Sequence, residues 1–407
     1  MDRTLELYIH IPFCVKKCNY CDFLSFSSNQ KTQEDYVNAL LREIHYYGPL
    51  MKDRTVSTIY IGGGTPSWLA YERMEEILSA LYQNFQIAPD AEVSMECNPG
   101  TVTKESLQSY FSAGINRLSI GLQSADNEEL KLLGRIHTYE QFVKTYEMAR
   151  NTGFTNLNVD LISGLPYQNT EKFMDTLRKV IQFQPEHISA YTLIIEKGTP
   201  FYDQYKFDVV RQEAGMKTEV LPTEDEAYRI YKMTQLTLKA AGYMQYEISN
   251  YAKNGYACRH NIGYWKRTNY LGMGLGASSL IDDVRYTNTT DLIHYMNETQ
   301  NIQMKELEYE DRDKNQKKVL GTGIHANGQL LDRKSQMEEF MFLGLRMNEG
   351  ISRNEFQEAF HTPIEVVYRS VLEELKQEEL LEMHAGRIYL TEKGMDLSNY
   401  AMAKFLF

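Results

Sequence analysis

The feature that most constrains the fold of this chain is a repeat of short β-rich runs and helix-period segments between residues 5 and 195. Six runs have the composition of strands, namely residues 7–11, 58–61, 92–96, 117–120, 156–161 and 187–191. Segments with apolar residues at helical spacing lie between them, namely residues 33–47, 71–84, 104–113, 139–151 and 171–182. Six βα units predict an α/β fold with a parallel sheet that curls into a full or partial barrel.

Residues suited to chemistry lie just past the C-terminal end of each predicted strand, where a parallel barrel has its active site. In chain order they are three cysteines, then Gly62-Gly63-Gly64-Thr65-Pro66, Glu96-Cys97-Asn98-Pro99, Gly121-Leu122-Gln123-Ser124, Asp160 with Gly164-Leu165-Pro166, and Thr192. The sequence therefore predicts that six separate loops meet on one face of the barrel.

The three cysteines are Cys14, Cys18 and Cys21, in the loop after the first predicted strand. Thiolates with this spacing can hold three corners of a cubane iron–sulfur cluster and leave the fourth iron open. An open metal position is typical of a reaction site, as it is in catalytic zinc centres. The alternative that spacing alone allows is a zinc site completed by a nearby ligand such as His10.

Charge and cysteine content disfavour several classes of function. Lys and Arg number 43 against 55 Asp and Glu, and the net charge of −12 argues against nucleic acid because it repels a phosphate backbone. The chain has five cysteines, three of them within eight residues, unlike a secreted disulfide framework. We expect a cytoplasmic protein with no integral membrane segment, since apolar runs are short and a signal-peptide pattern is absent.

The rest of the chain predicts two further regions beyond a core barrel over residues 1–235. Residues 236–330 form a connecting region that contains the sequence His260-Asn261-x-x-Tyr264-Trp265, and residues 331–407 form a C-terminal domain. In that domain a helix, a turn at Ile351-Ser352, two more helices and a hairpin over residues 381–390 predict a small winged-helix-like α+β unit. Its would-be recognition helix is rich in glutamate, which argues against DNA binding and favours a substrate cover or partner-docking module.

The motifs resemble the radical S-adenosylmethionine (SAM) enzymes grouped with oxygen-independent coproporphyrinogen III oxidase. The matching stretches are Tyr8-Ile9-His10-Ile11-Pro12-Phe13 with the three cysteines, Gly62-Gly63-Gly64-Thr65-Pro66, and Asn158-Val159-Asp160-Leu161-Ile162-Ser163-Gly164-Leu165-Pro166. The resemblance covers essentially the whole chain. It implies a partial (β/α)6 barrel of the TIM type, a [4Fe–4S] cluster on Cys14, Cys18 and Cys21, and SAM bound to the open iron.

In the family pattern, the residues that match SAM contacts are Tyr8, Gly63, Gly64, Thr65, Glu96, Gln123, Arg135 and Asp160. Glycines let the backbone approach the methionyl part of SAM without a Cβ between them. Glu96 and Asp160 suit an ammonium group and a ribose diol, and Arg135 can hold a carboxylate. Tyr20 can lie against the cluster or an adenine, or pack as an ordinary aromatic. Each residue alone fits a turn, an ion pair or core packing, so only their joint placement predicts a SAM site.

One departure separates this chain from the oxidase pattern. The oxidase motif continues Cys-x-Cys after the third cysteine, whereas Cys21-Asp22 is followed by Phe23 here. This change and the sequence that begins at His260 resemble the sister group HemW, the haem chaperones. The resemblance therefore points away from decarboxylation of a porphyrinogen.

The same resemblance implies that the chain binds haem. His260 is a candidate axial ligand, and Tyr264 and Trp265 are candidate aromatic walls for the porphyrin face. The alternative is a structured loop in which His260 and Trp265 are simply packed. Cys258 is a further ligand candidate, or a small buried residue as lone thiols often are.

Three functions follow from these resemblances. The first is a haem chaperone in porphyrin metabolism that binds haem and delivers it to haem-accepting proteins. The second is a coproporphyrinogen dehydrogenase-type enzyme that makes protoporphyrinogen IX by oxidative decarboxylation, and the third is a radical SAM enzyme on another substrate. The sequence leaves open whether the chain forms a homodimer and whether it associates with a membrane surface.

Overall fold

The computed structural model describes residues 3–407, and its centre is a set of six parallel strands that pair in chain order. They are β1 (Thr4–Ile11), β2 (Thr55–Gly63), β3 (Gln86–Cys97), β4 (Arg117–Gln123), β5 (Leu157–Ser163) and β6 (His187–Thr192). Adjacent strands keep one register over most of their length, so that Ile9 lies opposite Ile61. The predicted α/β fold with a parallel, barrel-like sheet is confirmed, with strand ends that differ from the predicted ones.

Helices connect these strands and cover the outer face of the sheet. They are α1 (Gln30–Leu50), α2 (Tyr71–Asn84), α3 (Lys104–Ser112), α4 (Asn127–Leu132), α5 (Tyr139–Thr152) and α6 (Thr170–Gln182). Thr103 and Thr138 begin α3 and α5 with capping boxes, in which side chains bind the free amides of the first turn. In α6 the buried stripe includes Phe173, Leu177 and Val180, and burial of such stripes stabilises the layered fold.

Side chains alternate between the two faces of β1–β6. Outward positions such as Leu118, Ile120 and Val159 join the main hydrophobic core beneath the helices. Inward positions carry polar side chains, most of them buried: Glu6, Thr58, Tyr60, Glu92, Ser94, Glu96, Arg117, Ser119, Asn158, Asp160, His187 and Ser189. The partial barrel therefore has an apolar outer layer and a polar interior in which most groups hydrogen-bond to one another, as is usual for buried polar groups.

Residues 200–330, for which the sequence predicted little, extend this sheet at both edges. The elements are α7 (Pro200–Glu213), α8 (Glu224–Ala240), β7 (Met244–Gln245), β8 (Asn250–Ala252), α9 (Arg259–Trp265), β9 (Tyr270–Met273), β10 (Ser278–Ile281), β11 (Val284–Asn288), α10 (Leu292–Glu298), β12 (Met304–Glu310), β13 (Gln316–Thr322) and β14 (His325–Leu330). β9 pairs parallel with β1, and β10, β11 and β14 follow antiparallel, whereas β8 and β7 extend the sheet beyond β6. The result is an open 12-stranded sheet, with β12 and β13 as a separate hairpin.

The C-terminal region has its own hydrophobic core. Its elements are α11 (Arg333–Gly344), β15 (Ile351–Ser352), α12 (Arg353–Phe360), α13 (Ile364–Gln377), β16 (Leu381–His384), β17 (Arg387–Leu390), α14 (Glu392–Asp396) and α15 (Ser398–Ala403). The turn expected at Ile351-Ser352 is instead a short strand, because both residues pair with β17 and extend the hairpin sheet. The boundaries at 235 and 330 stay predictions. Across residues 3–407, no helix has the length and apolar character needed to cross a membrane.

Candidate functional site

A cavity of about 520 Å³ lies at the carboxyl ends of β1–β6, the face where parallel barrels have their active sites. Every predicted cluster and SAM residue except Tyr8 lines this cavity, namely Cys14, Cys18, Cys21, Tyr20, Gly63, Gly64, Thr65, Glu96, Gln123, Arg135 and Asp160. These residues come from the carboxyl-terminal parts of four strands, β2–β5, and from the loops after β1, β2 and β4. The structure therefore brings together residues that the sequence could only group by their position past strand ends.

The cysteine loop offers three free, partly exposed thiols to this cavity. A backbone hydrogen bond of 3.1 Å from Cys14 to the carbonyl of Phe26 anchors its start. Thr65 Oγ1 lies 3.5 Å from Cys14 Sγ, and Arg135 Nη1 lies 3.7 Å from Cys18 Sγ. Donors directed at sulfur favour the thiolate form, which is the form that an iron–sulfur cluster needs.

His10 is not placed to complete a zinc site with these cysteines. Its Nδ1 is 2.9 Å from the Tyr8 hydroxyl and its Nε2 is 2.9 Å from the carbonyl oxygen of Leu24. Both ring nitrogens are therefore used by the protein. Among residues 3–407, no three His, Cys, Asp or Glu side chains form a group that could hold a single metal ion.

The glycine-rich loop after β2 is held close to β1. Gly63 has φ +119°, and a Cβ there would come within 2.6 Å of the His10 ring, whereas a Cβ on Gly64 would come within 2.7 Å of the Phe13 carbonyl oxygen. Glycine is therefore required by chain packing as well as by backbone conformation. The Gly63 amide donates to Glu96 Oε2 at 3.1 Å, which links the loop to the nearest carboxylate of β3.

Glu96 is half-buried in the cavity lining and has two donors. Besides the Gly63 amide, the Tyr60 hydroxyl donates to its Oε1 at 3.2 Å. Burial and then the nearby carboxylate of Asp160 raise the pKa of Glu96 to about 7. A cation beside Glu96 would lower this pKa, because the cation stabilises the charged form of the carboxylate.

Asp160 is held by polar neighbours of the barrel interior. Ser119 Oγ donates to its Oδ2 at 2.8 Å, and Asn158 Nδ2 donates to its Oδ1 at 2.7 Å. Asp160 and Ser119 line the cavity, whereas Asn158 is buried and does not line it. The carboxylate is therefore fixed in orientation and can still accept hydrogen bonds from a hydroxylated ligand.

Arg135 crosses the cavity wall between β3 and β4. Its Nη2 donates to Asn98 Oδ1 at 2.7 Å and to the Gly121 carbonyl at 2.8 Å, and Asn98 in turn donates to Thr65 Oγ1 at 2.8 Å. Its buried Nε has no hydrogen-bond partner among residues 3–407. A buried cation with an unpartnered donor fits an anionic group in the cavity.

Several cavity residues were not predicted from the sequence, of which Tyr60, Ser119 and Tyr191 are examples. Tyr60 and Ser119 lie two residues before Gly62 and Gly121 and therefore on the same inward face of their strands. That spacing was a usable signal. Tyr8, which was predicted to contact SAM, does not line the cavity, and its ring lies 6.4 Å from that of Tyr60; the contact stays a prediction.

The rim of the cavity carries exposed apolar side chains. Phe23, in the position of the oxidase's fourth cysteine, is 69% exposed, and Ile194 after β6 is 71% exposed. Tyr191, Lys16 and Glu196 complete this rim. Exposed apolar groups gathered at one opening are typical of a site for an apolar ligand or a partner.

The predicted axial ligand His260 lies in the barrel interior and does not line the cavity. Its side chain is 1% exposed, with Nδ1 2.7 Å from Thr58 Oγ1 and Nε2 3.0 Å from the Tyr264 hydroxyl. Burial and the nearby Arg117 lower the pKa of His260 to about 3, so the ring is neutral. As it stands, neither nitrogen is free for iron, and an axial role stays a prediction that requires one of these bonds to open.

The other residues of this motif have different surroundings. The Tyr264 ring packs edge-on against Tyr270, and the Arg346 guanidinium lies 4.4 Å from the centre of the Trp265 ring. Cys258 is fully buried, and burial raises the pKa of its thiol to about 12. The structure therefore does not gather these side chains around one open space.

Comparisons with known proteins agree with the fold. Residues 8–180 match the Radical SAM superfamily and residues 331–397 match the HemN C-terminal domain. The chain is 33% identical to the Heme chaperone HemW of Lactococcus lactis over 406 residues, which cover 100% of this chain and 98% of that protein. It is 32% identical to the HemW of Bacillus subtilis, with 98% of each chain covered.

Two further similarities come from Escherichia coli proteins. The Heme chaperone HemW of strain K12 is 41% identical over 293 residues, which cover 71% of this chain and 74% of that protein. The solved structure of coproporphyrinogen III oxidase (HemN), a radical SAM enzyme, superposes with a TM-score of 0.81 at 26% identity. That match covers 99% of this chain and 90% of the oxidase.

Proposed function

This chain belongs to the HemW group of the radical SAM superfamily, which is related to oxygen-independent coproporphyrinogen III oxidase, and from that premise we propose that it is a haem chaperone. It binds haem and delivers it to haem-accepting proteins, and it holds a [4Fe–4S] cluster and SAM in the barrel cavity. The observation that carries the cofactor proposal is the convergence of Cys14, Cys18 and Cys21 with Glu96 and Arg135 on one cavity.

Each cavity residue has a role that its surroundings support. The three thiols hold the cluster, Glu96 accepts from the ammonium group of SAM, and the unpartnered donor of Arg135 suits an anionic group of the ligand. Asp160 accepts from the ribose hydroxyls, because Ser119 and Asn158 fix its carboxylate. When bound, the cluster and SAM supply reductive cleavage of the sulfonium bond.

Haem binding rests on the family and on the apolar rim. The exposed side chains of Phe23, Tyr191 and Ile194 offer an apolar surface beside Lys16, which suits a flat macrocycle with carboxylate groups. His260 remains the axial-ligand candidate, with Tyr264 and Trp265 as aromatic walls. That role requires α9 to open, since His260 is enclosed in this structure.

A second candidate function is the oxidase reaction, favoured by the similarity to coproporphyrinogen III oxidase over 99% of this chain. It would oxidise two propionate side chains of coproporphyrinogen III to vinyl groups with loss of carbon dioxide, and each oxidation would require SAM and a one-electron acceptor. Phe23 argues against it, because the oxidase pattern has a cysteine there. The two functions share the cavity and differ in whether a porphyrinogen is consumed.

One anaerobic experiment separates these functions. The full chain is reconstituted with iron and sulfide, then given reductant, SAM and coproporphyrinogen III, while a parallel sample is titrated with haem. We expect haem uptake near one per chain, 5′-deoxyadenosine and no protoporphyrinogen. Multiple turnovers of protoporphyrinogen would establish the oxidase, and absence of haem uptake by a cluster-replete sample would refute the chaperone.

A second measurement tests the proposed haem ligand directly. If His260 is axial, His260→Ala weakens haem binding and changes the haem absorbance spectrum. An unchanged affinity and spectrum would assign His260 to packing. His325 is the matched control, since it is also buried with both ring nitrogens hydrogen-bonded.

A further inference from the structure

Helix α9 closes the barrel interior at the amino ends of the strands. The carboxylate of Glu92 on β3 accepts the backbone amides of Arg259 and His260 at 3.1 and 3.3 Å, and so caps the start of α9 from another element. A Cβ on Gly263 would overlap the carboxylate of Glu6 on β1. The helix is therefore seated directly on the polar interior, with His260 directed into it.

A short chain of contacts leads from His260 to the predicted SAM site. The His260 ring stacks on the Tyr60 ring, with centres 5.2 Å apart and planes 22° apart. The Tyr60 hydroxyl donates to Glu96 Oε1, and Glu96 Oε2 accepts from the Gly63 amide. His260 is thus separated from the proposed ammonium partner of SAM by one side chain.

The side chains of His260, Tyr60 and Glu96 have little room to move. Thr58 and Tyr264 hold both nitrogens of His260, so that the ring cannot turn without losing a hydrogen bond. A Cβ on Gly62 would lie 2.9 Å from Glu96 Oε1 and 3.0 Å from Tyr60 Cε1, which shows how closely Tyr60 and Glu96 approach β2. A ring fixed on one side of Tyr60 therefore fixes the direction of its hydroxyl on the other.

We propose that His260 is a positioning residue for SAM, which acts through the Tyr60 ring to orient the Glu96 carboxylate. This inference rests on the proposed binding of SAM and adds a role for His260 that needs no bond to iron. Loss of the His260 ring gives Tyr60 room to tilt, and Glu96 then loses one of its two donors. SAM meets a carboxylate that is less well oriented and less easily ionised.

The test is SAM binding by the haem-free, cluster-reconstituted full chain, measured anaerobically by equilibrium dialysis. Tyr60→Phe keeps the ring and removes the donor to Glu96, and we expect the Kd for SAM to rise about 10-fold, the scale of one hydrogen bond to a charged group. His260→Ala removes the ring behind Tyr60, with an expected rise of about 5-fold. The double variant should bind SAM no more weakly than about the Tyr60→Phe single variant, because both changes act on one contact.

A pH profile supplies a result that general loosening of the fold does not produce. The titratable groups that face Glu96 are Tyr8 on β1, Tyr60 on β2 and Asp160 on β5. The Tyr60 hydroxyl lowers the pKa of Glu96, so its loss raises that pKa. The pH at which SAM binding is half lost should therefore move upward in Tyr60→Phe and in His260→Ala.

His325→Ala is the matched control. His325 is buried, its ring nitrogens bond the Thr322 amide and the Tyr47 hydroxyl, and its ring stacks on Tyr286 at 4.6 Å. We expect its loss to leave the SAM Kd and the pH profile of the reconstituted protein unchanged. An equal loss of SAM affinity in this control would overturn the proposal.

The outcomes separate this inference from the proposed function. If the unaltered chain with a full cluster does not bind SAM, the SAM part of the proposed function fails. If it binds SAM, and Tyr60→Phe and His260→Ala both bind SAM as tightly as the unaltered chain does, the positioning role of His260 is wrong and SAM binding stands. Tyr60→Phe keeps nearly the whole side chain, so it tests the path even if His260→Ala folds poorly.

Discussion

One end of the partial barrel is open and the other is closed. At the carboxyl ends of the strands, loops surround a cavity that contains three partly exposed cysteines and an apolar rim. At the amino ends, α9 covers the interior, and His260 is almost fully buried with both nitrogens bonded. The same strands therefore form an open site at one end and are covered at the other by α9, which we call the plug.

A motif whose residues could bind a metal or cofactor therefore need not lie at the open site. The cysteines have the exposure that a cofactor needs, whereas the histidine of the second motif has the environment of a structural residue. The plug is nevertheless connected to the cavity, because His260 stacks on Tyr60 and Tyr60 donates to Glu96. Substitutions at each end can show whether the two act separately or together.

The largest effect is expected from the cysteines at the open end. Cys14→Ala, Cys18→Ala or Cys21→Ala should each abolish the broad iron–sulfur absorbance and SAM cleavage, because three thiolates are the minimum for a cluster with one open iron. Iron and sulfide analysis with anaerobic absorbance measures this. Cys97→Ala is the control, as Cys97 is buried at the same cavity outside the cysteine loop. A full cluster in any of the three variants would contradict the assignment.

The next effect concerns the stability of the closed end. Arg117 is fully buried near Glu92 and Cys258, so Arg117→Met leaves buried acceptors without a cation. We expect the free energy of unfolding to fall by about 3 kcal/mol, as when one partner of a buried charge pair is removed. Urea unfolding of the full chain measures it. Arg117→Lys keeps the charge, so its free energy of unfolding should fall by less. An equal fall in the two variants would show that packing rather than charge is responsible.

A third prediction uses the pH dependence of the open end. The pKa of Glu96 is raised to about 7, and the ammonium of SAM needs the ionised carboxylate. The Kd for SAM should rise as the pH falls below 7, towards about tenfold for each further pH unit. Glu96→Gln should bind SAM weakly at every pH, without this dependence. Cluster absorbance at each pH shows that the cluster itself is retained.

A smaller effect is expected at the rim. Ile194→Asn removes exposed apolar surface from the cavity opening, and we expect haem affinity to fall about 3- to 10-fold, as for loss of one or two buried methylene groups. Ile293→Asn is the matched control, since Ile293 on α10 is 67% exposed and does not line the cavity. Haem titration by absorbance measures both. Equal haem affinity in the two variants would move the haem site away from the rim.

The smallest effect concerns the outer side of α9. Arg346→Met removes the guanidinium that lies over Trp265, at an expected loss of about 0.5–1 kcal/mol in the free energy of unfolding. The SAM Kd should remain within twofold of the original. A larger change in SAM affinity would mean that the C-terminal domain also acts on the plug.

Much of the fold and of the open site was accessible from the sequence. The strands β1–β6 carry strong β patterns. The cysteines follow β1, whereas Gly63 and Asp160 lie in the last residues of β2 and β5, and a parallel barrel gathers the carboxyl ends of its strands. The strands β7–β11 were missed because they have only two to five residues each. Strands that short are specified by the sheet edge they join more than by their own composition.

The βα order, the cysteine loop and the set of polar groups near the strand ends follow from the sequence, since they depend on local periodicity and spacing. The confinement of Gly63 by His10 and the position of His260 inside the barrel depend on tertiary contacts. One of the two partners of His260 is Thr58, 202 residues away in the chain. A contact of that separation has no local periodic signature, because it arises when a connecting helix closes a sheet built from distant strands.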